Sequence, residues 1–440
     1  MEYELQNERY WKQHQKKDEN PDVRFYYTLK RQIIDEVFLE EEEKTKWELS
    51  GGEGMKRWSA VGYYFADRFS RETDITVGII GCNWGATSAS CWIGTEDLRA
   101  DSLLREYVDE YEAGLEGKSE EVQTKEYAEF EKYHMEWEAK AAECYTENPL
   151  ISWEEVQKKC GICKWPGPLN CRSPFRPGGL YETMIKRIAP YTMRGVLWYQ
   201  GENDTNKPNL YETLLSKLIE VWRREFQNDG LAFYIVQLAM HRYLPDEDTM
   251  NWPVVRQAQY NVCRHMRNVQ LVLSVDYSMI GDIHPVMKKE IGERLFDAVS
   301  GRYKLPECVG YDLNGAYVRL RFNCGPLTWK ERRPLGMGGK NLSDEELWEV
   351  IQKTNLCETV NLDEYFSSVQ CFELAGRDDI FYPAKAKVEN GNEVVIFCEK
   401  VTGPKKVRYA WRDFAVVDLF TEDGYPVMPF QMKLDVVPMP

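Results

Sequence analysis

Two short runs carry most of the chemistry in this chain. Gly195-Val-Leu-Trp-Tyr-Gln-Gly-Glu-Asn-Asp204 is an apolar stretch ending in a polar turn, and Asp282-Ile-His-Pro285 places a carboxylate two residues before an imidazole. An amide at the end of a buried strand can hold a developing oxyanion. A histidine with an orienting carboxylate can act as a general base. Together they make most of an acyl-transfer site, but no nucleophilic serine precedes them. His284 is the candidate base and Asp282 its orienting partner, with Asp276 competing for that role; Gln200 and Asn203 are the candidate amides. Gly85, in Asn83-Trp-Gly-Ala-Thr87, follows a strand where a glycine lets a backbone N–H approach a ligand closely. Trp84, Trp198, Glu202, Arg256 and Gln259 are candidate substrate contacts. Ordinary turn chemistry or core packing is the alternative at each of these positions.

The elements that must position these residues follow from hydrophobic periodicity. Strands are expected at Val23–Thr28, Ile75–Ile80, Gly195–Tyr199, Ala232–Leu238 and Val269–Val275. Helices are expected at Ser59–Phe69, Leu180–Ile188, Leu210–Phe226, Val254–Met266 and Lys288–Ser300. Such alternation predicts an α/β fold with a parallel sheet flanked by helices, and sites in such sheets lie at the carboxyl ends of the strands. A charged, helical stretch from Glu96 interrupts the alternation, giving an insertion over about 96–170. After Tyr303 short β-rich stretches, including Tyr317–Phe322, Val369–Leu374, Val394–Cys398 and Val407–Trp411, predict a β-sandwich-like C-terminal domain. The expected division is an α/β domain over 1–302 and a β-rich domain over 303–440.

A length of 440 residues suits two domains, with 43% apolar and 29% charged residues. The formal charge of −16 and the lack of a dominant basic cluster argue against nucleic acid. No apolar run approaches the ~18 residues of a membrane span. The twelve cysteines lie mostly in strand-like contexts that suit buried thiols. Cys160-Gly-Ile-Cys163, near Cys144 and Cys171, has metal-like spacing, but no second Cys-x-x-Cys follows, and packing is preferred over zinc or a local disulfide. Met1–Glu8 has neither the basic start nor the apolar core of a secretory signal, so the chain as given reads as cytoplasmic, with secretion open if a leader lies upstream.

Taken in order, Ser59-Ala-Val-Gly-Tyr-Tyr-Phe65, Trp84-Gly-Ala-Thr87, Leu180-Tyr-Glu-Thr-Met-Ile185, Gly195–Asn203, Val236-Gln-Leu238, Arg256-Gln-Ala-Gln259, Asp282-Ile-His-Pro285, Phe372-Glu-Leu-Ala-Gly-Arg377 and Val407-Arg-Tyr-Ala-Trp411 resemble the sialate O-acetylesterase family of SGNH hydrolases. The resemblance implies a flavodoxin-like SGNH sheet and the hydrolysis of O-acetyl groups on carbohydrates without metal or organic cofactor. It also implies that His284 is the base and that Gly85, Gln200 and Asn203 supply the oxyanion hole. Two departures stand out. Ala86 replaces the second glycine of the family's Trp-Gly-Gly-Thr, and Met1-Glu2 aligns with the end of the family's Gly-Gln-Ser-Asn-Met-Glu, which puts the serine just ahead of residue 1. An esterase completed by an upstream serine and a silent carbohydrate-binding relative both remain open. Acetylated sialic acid is an anion, whose binding would need local cations such as Arg256 or Arg176; an acetylated neutral sugar such as acetylxylan would not. Oligomeric state is not legible in the sequence.

Overall fold

The computed structural model describes residues 1–8, 11, 20–148, 151, 153–242, 248–278, 283–330 and 371–434. In chain order, the elements that build the site begin with β1 (Val23–Tyr27), β2 (Glu48–Leu49), α1 (Ala60–Thr73) and β3 (Val77–Gly81). The inserted α2 (Glu120–Glu147) and α3 (Trp153–Cys160) follow. Then come β4 (Gly195–Trp198), α4 (Tyr211–Glu225), β5 (Ala232–Val236), α5 (Asn251–His265), β6 (Val269–Val272) and α6 (Lys288–Val299). The helix expected over Leu180–Ile188 forms as a π-helical turn, Tyr181–Ile185, running into Lys186–Ile188.

The parallel strands form two groups. β1 pairs with β3 in parallel and with β2 antiparallel, while β4, β5 and β6 pair in parallel in that order. Among the described residues no strand pairs with the outer edge of β3 or of β4. Strands of a doubly covered parallel sheet are normally buried on both faces. Here Val77, Ile79 and Ile80 of β3 and Val196 and Leu197 of β4 are only half-buried, and Ile75 is 55% exposed. Val77, Ile79 and Leu197 pack against one shared apolar cluster.

Two helices join the two strand groups. α1 lies on the β1–β3 side and α6 on the β5–β6 side, and they pack so closely that a Cβ on Gly292 would lie 2.8 Å from Val61 O. Arg68 adds a two-pronged ion pair to Asp297 at 2.8 and 3.2 Å. One apolar cluster, with Val23, Phe25, Val61, Val236, Val272, Ile291 and Leu295, lies under both strand groups. The helix termini are set locally: Ser59 Oγ accepts from Gly62 N at 3.2 Å to start α1, and Asp74 ends it at φ 57°.

The C-terminal part is antiparallel, with two four-stranded sheets and a two-stranded ribbon. Val318, Leu320, Val394 and Ile396 from one sheet join Phe372, Leu374, Val407 and Tyr409 from the other in a single apolar cluster that continues into α4 and α5. Asp413 ties this part to the α/β part. Its carboxylate accepts from Thr249 N, Thr249 Oγ1 and Trp252 N at 2.7, 2.7 and 3.0 Å, closing the amino end of α5. A cap supplied from so far along the chain has no local sequence signature.

Candidate active site

Gly85 and Asn203 follow β3 and β4 at carboxyl ends of parallel strands, and His284 lies in the connection between β6 and α6. Gly85 is exposed, and its N–H donates to the Glu2 carboxylate, which Lys30 also holds. A Cβ at position 85 would stand 2.6 Å from Glu2 Oε2, so the glycine leaves open the space in which an anionic oxygen sits. The next residue, Ala86, has φ 58°, a left-handed backbone that glycine tolerates better than alanine.

Below this turn lies a buried polar lattice. Asp204 is fully buried and accepts from Ser88 Oγ at 2.6 Å, Ala89 N at 2.9 Å and Gln200 Nε2 at 2.6 Å. Burial pushes its carboxyl above the usual carboxylate range, with the three donors pulling the other way. Gln200 also donates to Thr87 O at 3.0 Å, and its carbonyl groups take the Tyr211 hydroxyl and, from Gln259 Nε2, a bond of 3.1 Å. The β3 turn and the β4 turn are therefore stitched together. Gly201, at φ 151°, makes this fit possible: a Cβ there would meet Val255 Cγ1 at 3.2 Å.

The sequence-selected residues divide into three groups. Gly85, Asn203 and His284 are exposed, and Trp84 and Glu202 are half-buried. Gln200 and Gln259 lie beneath, their amides committed to the lattice; Gln259 Oε1 accepts from Leu238 N at 2.8 Å. Trp198 and Arg256 are core residues. Trp198 packs edge-on between Trp92 and Trp222. Arg256 donates to Arg412 O, and burial lowers its guanidinium to about 10. Arg176, the other candidate cation, donates to Ser173 O at 2.8 Å and Gln32 O at 2.6 Å. Asp282 lies outside the described residues. Both oxygens of Asp276 accept from Arg294, each at 2.9 Å, so this carboxylate is already engaged.

Lys288 was not singled out in the sequence. The ammonium of this buried first residue of α6 lies 4.7 Å from the Tyr199 ring centroid and 5.0 Å from that of Tyr3. Its position four residues after His284 was the available signal. Asp204 was missed too, since an Asp following an Asn reads as a turn residue until its burial is known. Around Cys160, Cys144 Sγ lies 3.6 Å from Cys160 Sγ, and no group of three or more metal-ligating side chains occurs among the described residues.

Residues 164–300, which include the β4 turn and His284, match the family of carbohydrate esterases described as sialic acid-specific acetylesterases. Over this segment the chain is similar to the sialate O-acetylesterase family. The sialate O-acetylesterase of Homo sapiens is 27% identical over 168 residues, covering 33% of this chain and 32% of the human protein. That of Mus musculus is 24% identical over 254 residues, covering 54% of this chain and 41% of its own length. The chain's match thus spans about a third of the human relative. In fold, the chain resembles the crystal structure of a carbohydrate acetylesterase from Xanthomonas citri, with a TM-score of 0.67, 19% identity, and coverage of 99% of this chain and 78% of that one. Gly85 and its turn precede the segment matched by the family model.

Proposed function

We propose that this chain forms the oxyanion-binding and base-bearing part of an SGNH-type serine esterase that removes O-acetyl groups from carbohydrates. One observation carries the reading: the exposed Gly85 N–H already binds an anionic oxygen, that of the Glu2 carboxylate, which stands where an acyl oxyanion would. In the reaction Glu2 swings aside, Gly85 N–H and the Asn203 amide take the tetrahedral oxyanion, and His284 removes the proton from the attacking hydroxyl. His284 then returns that proton to the departing sugar oxygen, and water releases acetate in a second, equivalent step. Gln200, Asp204 and Gln259 act as positioning residues. They hold the β3 and β4 turns in register, and Trp84 and Glu202 border the substrate.

The attacking hydroxyl belongs, in this reading, to a serine on a further parallel strand pairing with an edge that is unpaired among the described residues. The unpaired edges and half-buried Ile79, Ile80 and Leu197 support that placement. An acetylated neutral sugar, of the acetylxylan kind, is favoured over sialic acid as substrate. The guanidiniums of Arg256 and Arg176 donate to backbone carbonyls, and the chain's net charge of −16 repels an anion.

The test is acetate release from O-acetylated sialic acid and acetylated xylan, with and without Gly-Gln-Ser-Asn and its strand placed ahead of Met1. The extended chain should be active, and His284→Ala in it should lower kcat by about 10²- to 10⁴-fold. Near-normal turnover in His284→Ala, or full-strength release by the 440-residue chain, refutes the mechanism.

A further inference from the structure

We infer that Cys144 and Cys160 are a redox modification site, a thiol pair that closes reversibly to a disulfide joining the two helices of the inserted hairpin. Their Sγ atoms lie 3.6 Å apart, one in the last turn of α2 and the other at the last residue of α3. Both are free thiols. Going from that contact to a disulfide of ~2.05 Å brings the sulfurs together by about 1.5 Å, a movement two side chains can share by turning about their Cα–Cβ bonds.

The backbone around the pair is held in register. After Cys160 the chain turns and runs back along α2, meeting its residues in descending order. Gly161 O accepts from Trp137 Nε1 at 2.8 Å, and Ile162 O accepts from the Tyr133 hydroxyl. Further on, the Gly167 backbone presses on the Phe130 ring, and Cys171 N donates to Gln123 Oε1 at 2.9 Å. Gly161 N also donates to Gln157 O at 2.9 Å, closing the end of α3. Cys160 is therefore fixed against the turn of α2 that carries Cys144. The Cys-x-x-Cys spacing in the sequence pairs Cys160 with Cys163; the fold brings its sulfur to Cys144 instead.

A covalent link has a large effect here because the local core is small. Trp137, Ala141, Cys144, Ile151 and Val156 form an apolar cluster separate from the two that underlie the sheets. A core of this size stabilises little by itself. A bond across a separation of 16 residues restricts the opened hairpin and should lower its population by about 100-fold.

The oxidant is a small-molecule disulfide of the glutathione kind. The thiolate of the half-buried Cys160 attacks it, forming a mixed disulfide and releasing one glutathione thiolate. The Cys144 thiolate then attacks Cys160 Sγ, forming the Cys144–Cys160 bond and releasing the second. The protein gives up two protons and two electrons, which leave as two molecules of reduced glutathione. Burial, with the hydrogen bond to Cys144, raises the Cys160 thiol while Lys140 and Lys159 pull the other way, so the exchange runs faster at mildly alkaline pH. The site does not depend on the esterase reading.

The experiment is incubation of the full chain with glutathione disulfide at mildly alkaline pH, followed by peptide mapping in a mass spectrometer and by hydrogen exchange. The expected product is a peptide containing Cys144 joined to one containing Cys160, two hydrogens lighter than the separate pair and released by dithiothreitol. Exchange of the amides between Trp137 and Cys144 should slow by about 100-fold. Cys163→Ser should link in the same way, and Cys144→Ser should stop at the glutathione adduct on Cys160. In the parent chain, no linked peptide, a link between Cys160 and Cys163 in its place, a lasting adduct on Cys160, or a link that leaves exchange unchanged would each overturn the inference.

Discussion

Replacing Asp204 by alanine is expected to loosen the candidate active site from below. Its carboxylate accepts from the Ala89 N–H at 2.9 Å, the only acceptor for that group among the described residues, and shares Gln200 Nε2 with Thr87 O. Ser88 Oγ can turn to Ser90 Oγ, 2.9 Å away, so its loss is small. The orphaned Ala89 N–H costs about 1–3 kcal/mol, and the weakened Gln200 amide and the space left behind add about 1–2 kcal/mol. Against this, alanine no longer buries a charge whose desolvation is evident in the raised carboxyl. The net expectation is a loss of about 2–4 kcal/mol. Asp204→Asn is the control, because its carbonyl can take Ala89 N–H and Gln200 Nε2 while its NH₂ donates to Ser88 Oγ; it should stay within about 1 kcal/mol of the parent. Urea denaturation separates the two, with a midpoint shift for alanine of about 1 M at an m-value near 3 kcal/mol/M. Equal midpoints for Asp204→Ala and Asp204→Asn would show that the lattice does not hold the turns together.

Asp276→Ala should cost about 3–5 kcal/mol, since it strands the buried Arg294 guanidinium, which otherwise has two 2.9 Å bonds to that carboxylate. Thermal denaturation checks this, and Asp276→Leu combined with Arg294→Met should recover most of the loss; a single-mutant loss below about 1 kcal/mol would contradict it. Asp418 gives a pH signature: burial, opposed by the Tyr409 hydroxyl at 3.3 Å, pushes its carboxyl from 3.8 up to about 6. A raised carboxyl binds more protons folded than unfolded, so stability falls as pH rises from about 4 through 6, by up to about 3 kcal/mol, and stays lower above that. Melting temperatures across pH 4–7 should show this decline in the parent and a flatter profile in Asp418→Asn; parallel profiles would count against it.

What the sequence determined by itself is local. Periodicity placed Tyr317–Phe322 at its observed bounds and the five strands of the parallel groups within a few residues, because burial on one or two faces leaves its period in the apolar residues. The Gly85, Gln200–Asn203 and His284 blocks could be read as strand-end turns for the same reason. Tertiary structure decided what those turns do. Whether an amide faces solvent, as at Asn203, or is spent on Asp204 and Thr87, as at Gln200, depends on β3 and β4 turns more than 100 residues apart, and no spacing rule encodes that. Arg256 reads as a candidate substrate contact and is buried because Arg412 and Asp413 of the antiparallel part close over it. Ile79 and Leu197 read as fully buried strand residues and are not, because burial in a parallel sheet requires a neighbour on each edge, and only the assembled sheet reveals that β3 and β4 each lack one among the described residues.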